Sequence, residues 1–147
     1  MKNLLLAIDD CEASNMESPI IQRTIELARA FSSKVWILHI VPRSSEPPFN
    51  IDEKVLRREV AAERSHENTR LAQLAQSLQN RDVEAEALLV EGAVVDSILK
   101  ESDRLSIDLI ILGCHKHGLL YGALMGFTEE GLLSKCAHPI MFIPVLE

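Results

Sequence analysis

The chain has 147 residues, of which 47% are hydrophobic and 25% charged, with a formal net charge of -7. That length suits one domain with its own core, without disulfide or metal staples. The acidic balance and the lack of a basic cluster argue against a nucleic-acid binder, which needs a basic face; a single nucleotide is not excluded, because backbone N–H groups alone can hold one.

Leu4 to Ile8 is a continuous apolar run, the pattern of a strand covered on both faces. It is too short for a signal-peptide core, and no small-residue cleavage site follows it. Asp9 to Glu17 is polar, and Ser18-Pro19 reads as an N-cap followed by proline at the first helical position. Ile20, Ile21, Ile25, Ala28 and Phe31 then make one apolar helical stripe. Val35 to Val41 is the second strand, with His39 as a satisfied structural histidine, and Pro42 to Asn50 is a loop. A long helix is expected from about Ile51 to Leu78, its second half marked by Leu71, Leu74, Ala75 and Leu78. Its middle, Glu63 to Asn68, is polar all round and is expected to protrude into water.

Val83 to Val90 is the third strand, and the alternation of Glu84 and Glu86 with Ala85 and Ala87 suits an edge. Val94, Val95, Ile98, Leu99 and Leu105 make the third helix, and Leu109 to Leu112 the fourth strand. A fourth helix lies within Gly126 to Cys136, stopped by His138-Pro139, and Ile140 to Val145 is the fifth strand. Strands alternating with helices across short links demand a parallel sheet with helices on both faces and right-handed crossovers. Pro144 cannot donate to a ladder, so the last strand belongs at an edge. That edge is apolar, with Ile140, Phe142 and Ile143, and needs a cover. The expected cover is the same strand of a second copy, giving a homodimer through Ile140, Phe142 and Pro144.

No apolar run approaches the roughly twenty residues of a membrane span. Cys11, Cys114 and Cys136 are odd in number and widely spaced, and read as reduced thiols of a cytoplasmic protein.

The ordered anchors across the chain resemble the universal stress protein family. They are Asp9 after the first strand, Leu27-Ala28-Arg29 closing the first helix, Leu38-His39-Ile40 ending the second strand, and the segment Gly113 to Pro144 with its runs HGLLYGALMG and TEEGLL. The resemblance covers nearly all of residues 1–147, taken as one domain. It implies an α/β architecture: a single doubly wound five-stranded parallel sheet with about four helices, adenine nucleotide alpha hydrolase-like, in strand order 3-2-1-4-5. It also implies dimers through the last strand, and an adenine-nucleotide site in many members. Their signature is glycine, two residues, glycine, nine residues, then glycine and Ser or Thr. Here Gly113 and Gly126 match, while Lys116 replaces a glycine and Phe127 a hydroxyl.

What the resemblance implies for a ligand is ATP or AMP, with magnesium, at the switch-point groove. Ala7, Asp9, Ile40, Leu112 and Gly113 stand where binding members line base and ribose. Lys116, Gly126, Phe127 and Thr128 stand on the side of the phosphates. Lys116 restricts a backbone that glycine would let approach a phosphate, though its ammonium is itself a partner. Phe127 cannot donate the hydrogen bond that a hydroxyl would, a loss of about 1.5–3 kcal/mol for a bond to a charged group. Binding is therefore expected to be weak or absent, with a regulatory, stress-response role. Two other classes stay open on the residues. One is a slow nucleotide hydrolase or a thiol-dependent enzyme using Cys11 or Cys114. The other is a metal or redox sensor, since Cys11, Cys114, His115 and His117 include zinc-type ligands.

Overall fold

A computed structural model of the protein describes residues 1–8, 16–41, 68–114 and 131–144. In chain order the elements are β1 (Asn3–Ile8), α1 (Pro19–Phe31), β2 (Lys34–Val41), the helix α2 (68–79), β3 (Ala85–Glu91), α3 (Val94–Arg104), β4 (Leu109–Cys114), α4 (Leu132–Lys135) and β5 (Ile140–Pro144). The five strands form one sheet in the order β3-β2-β1-β4-β5, and every neighbouring pair is parallel. This is the architecture expected from the alternating pattern. Among the described residues no helix is long and apolar enough to cross a membrane.

The continuous apolar runs of β1 and β4 are explained by burial on both faces. Successive side chains point to opposite sides of a strand. Leu4, Leu6, Ile8, Ile37, Leu109 and Ile111 therefore pack in one core with Ile20, Ile21 and Ile25 of α1 and Leu71, Leu74 and Leu78 of α2. Leu5, Ala7, Leu38, Ile40, Ile110 and Leu112 pack in a second core with Ile98 of α3 and Leu132 of α4. Fully burying one such aliphatic side chain contributes about 1.5–3 kcal/mol.

Both edges fall where the sequence puts them, at β3 and β5. The β3 edge is dressed with charge: Lys34 Nζ lies 2.9 Å from Glu86 Oε2 and 3.9 Å from the centre of the Trp36 ring. The β5 edge is not, for Phe142 is 41% exposed beside the exposed Pro144.

Several local expectations are corrected. Phe31 leaves the α1 stripe and is 49% exposed, because at 100° per residue it lies about 120° around the helix from Ile25. The buried polar member of that face is Thr24, whose hydroxyl donates to Ile20 O at 2.7 Å. Ser18 does hold the N-cap position before Pro19, but its side chain caps nothing; its carbonyl accepts from Gln22 N at 3.0 Å. The third strand starts at Ala85 rather than Val83, after a turn with Asp82 at φ 63°. Leu105 is the C-cap of α3, not a helical residue. The fourth helix ends at Lys135, with Cys136 already extended, so the chain leaves the helix before His138-Pro139 forces it to. Residues 51–67 of the expected long helix and 126–130 of the expected fourth helix lie outside the described residues.

Candidate functional site

From β1 the chain steps outward to β2 and β3, then crosses back to place β4 on the other side of β1. Strand order reverses between β1 and β4, and the crevice at their carboxyl ends is where open α/β sheets receive ligands. The register assembles its floor. Ala7 pairs with Leu38 of β2 on one side and Leu112 of β4 on the other, and Ile40 lies two residues beyond Leu38 on the same face. Ala7, Ile40 and Leu112 are all buried within the core under α3 and α4. Three of the expected base-lining positions thus share one apolar face.

Gly113 does not share it. It follows Leu112 and belongs to the opposite face, under the start of α1. A Cβ built at 113 would lie 1.9 Å from Ile20 Cδ1 and 3.0 Å from Ile20 Cγ1. A side chain at 113 would therefore require Ile20 to move, since Ile20 takes the volume of a side chain there. Ile20 was missed as a site-shaping residue. Its sequence signal, one apolar position after a helix-starting proline, does not reveal a contact with a strand near the other end of the chain.

His39, on the strand beside Ile8, places Nδ1 3.1 Å from Ile8 O and is buried. As a donor to that carbonyl it ties the carboxyl end of β2 to that of β1, which is the structural role read from the sequence. His138 is more than a loop residue: Nδ1 lies 2.9 Å from Ile107 O and Nε2 2.9 Å from Asp103 Oδ1. It fastens the entry of β5 to the end of α3. Cys136 Sγ donates to His138 O at 3.4 Å, and the residue packs against the α3/α4 core, as a structural thiol would.

At the other end of the sheet Asp108 accepts from Asn3 N at 3.0 Å and Lys2 N at 2.7 Å. The Asn3 bond, then the Lys2 bond, hold its carboxyl below the ordinary carboxylate value. Asp9, Cys11, His115, Lys116, His117, Gly126, Phe127 and Thr128 lie outside the described residues, as does the side chain of Cys114. Among the described residues no group of three His, Cys, Asp or Glu is placed to hold a metal ion.

The model of the universal stress protein family matches residues 1–144. No curated protein matches the chain. Solved structures do. One is a protein of that family from Burkholderia pseudomallei, with 20% identity, TM-score 0.68, and coverage of 98% of this chain and 96% of the other. Another is a universal stress protein in complex with cAMP, with 16% identity, TM-score 0.62 and coverage of 97% and 96%. A third, from Archaeoglobus fulgidus in complex with dAMP, has 16% identity, TM-score 0.56 and coverage of 97% of each chain.

Proposed function

This chain belongs to the universal stress protein family, and from that premise we propose that it is a cytoplasmic, homodimeric regulatory protein of the stress response that binds an adenine nucleotide weakly at most. The observation that carries the reading is the shared apolar face of Ala7, Ile40 and Leu112 at the carboxyl ends of three adjacent strands. An apolar sheet face at a switch point suits a base and ribose. The structural neighbours solved with cAMP and dAMP support the same ligand class. Asp9 follows β1 and is assigned the ribose or a magnesium ion on the phosphates.

The phosphate end of the site is the weak one. Lys116 and Phe127 stand where the family signature has glycine and a hydroxyl. The loop then lacks a close backbone approach and a hydrogen-bond donor. A chain that holds ATP poorly serves through its shape and its partners rather than through turnover.

Calorimetric titration with ATP and AMP, with and without magnesium, tests this. Wild type is expected to bind in the high-micromolar range or weaker, and the Lys116→Gly/Phe127→Ser double variant to gain about one to two decades of affinity. Low-micromolar ATP binding by wild type refutes the weak grip, and a double variant that gains nothing refutes the loop argument.

A further inference from the structure

Strand β3 pairs with β2 on one side, and its other side is an edge of the sheet. In a parallel ladder, alternate residues of a strand bond to the same neighbour. Val35 N donates to Glu84 O at 2.8 Å and Gly92 N to Val41 O at 3.0 Å. Glu84, Glu86, Leu88, Val90 and Gly92 therefore face β2, while Ala85, Ala87 and Leu89 turn their N–H and C=O groups outward. Gln79 Nε2 covers Ala85 O at 2.8 Å. The backbone groups of Ala87 and Leu89 have no partner among the described residues.

Side chains on both faces extend this edge into a surface. Ala87 and Leu89 lean on the core beside α1 and α2, Leu88 and Val90 on the core beside α3, and all four are half-buried. Both ends are acidic among the described residues. At one end the side chains of Glu84 and Glu86, 73% and 53% exposed, share Lys34. At the other, Glu91 and Asp96 line one hollow with Lys100, where Glu101 is paired with Arg104. Arg81 and Asp82, in the turn before the strand, cancel. A second copy docked here across a two-fold axis would run antiparallel and bring like charges together, which destabilises a strand pair. A basic strand meets the opposite field.

We propose that the outer side of β3 docks an extended basic peptide segment of another protein, which joins the sheet as a further strand. The N–H groups of Ala87 and Leu89 donate to its carbonyls, and their C=O groups accept from its amides. Its apolar side chains cover the half-buried Leu88 and Leu89, and its cationic ones face Glu84 and Glu86. The glutamates that keep copies of this chain apart are the ones that select the partner.

Hydrogen exchange read by backbone-amide NMR of the full chain, without nucleotide, tests this. The probe is a blocked, alternating lysine–valine peptide of about eight residues, long enough for one strand. Saturable slowing of exchange is expected at the Ala87 and Leu89 amides, with no new protection at Leu88 and Val90, which already bond to β2. Glu84→Gln combined with Glu86→Gln is expected to weaken binding about fivefold, the worth of two exposed charge pairs. Ala87→Pro removes one outward donor and leaves the ladder to β2 intact, so the folded variant should lose binding. A peptide N-methylated at alternate residues cannot pair and should not bind, which tests the same bonds without altering the protein. Unchanged exchange at Ala87 and Leu89, equal binding of the N-methylated peptide or of a glutamate–valine peptide, or a folded Ala87→Pro protein that binds as wild type does would each overturn the proposal. So would protection of these amides that grows with protein concentration alone, which would give the edge to a second copy.

Discussion

Gly113 and Ile20 form a mutually dependent pair at the residue scale: one side chain is absent so that the other can lie across the strand. Adding a single carbon at 113 forces Ile20 off its position, because its Cγ1 and Cβ are crowded as well as its Cδ1. Gly113→Ala is expected to lower stability by about 1–3 kcal/mol, the usual cost of overpacking a core. Combining it with Ile20→Ala should restore part of that loss, so the two changes will not add in a double-mutant cycle read by urea unfolding. Strict additivity would show that the two side chains do not compete for one space.

Asp108 offers a second residue-scale test. Its folded-state carboxyl titrates below the unfolded one because Asn3 N–H and Lys2 N–H donate to the charged form. The stabilisation is therefore complete above the unfolded value near 3.8 and is lost as pH falls through the lower folded value. Denaturation midpoints of wild type and Asp108→Asn should differ at pH 7 and converge as pH falls through the lowered folded value. A gap that persists in acid would mean that the carboxylate is not the cause.

At the scale of elements, the two edges are guarded differently. Lys34 and Glu86 screen β3, whereas among the described residues β5 offers an exposed Phe142, with Pro144 to discourage pairing. If β5 is the dimer contact, Phe142→Lys should shift the sedimentation-equilibrium mass from dimer to monomer without unfolding the protein. A dimer that survives the change would place the contact elsewhere. His138 is expected to matter for the same strand: its removal by His138→Ala deletes bonds to Ile107 O and Asp103 and should cost about 1–2 kcal/mol by thermal or urea melts.

Much of this element scale was legible beforehand. Uninterrupted apolar runs such as Leu4 to Ile8 declare a strand buried on both sides, and Pro144 declares an edge, because each rests on a rule with few exceptions. Helix ends were less legible. The stripe through Ile25 does not extend to Phe31, and α4 ends before its proline, since helix termini answer to tertiary packing more than to local sequence.

Over the whole molecule, the reversal of strand order between β1 and β4 decides where a ligand belongs. The expected base-lining positions come from family resemblance, and the register sorts them: Ala7, Ile40 and Leu112 to one face, Gly113 to the other. That division was illegible in one dimension, because a slip of one residue along a strand changes the face and nothing in a loop motif records it.

The wedge of Ile20 against Gly113 carries a historical consequence. A site where an added carbon costs stability until a residue far away in the chain shrinks is slow to drift, whatever its chemistry. Invariance there among descendants would follow from the order in which mutations became permissible, before any ligand is considered.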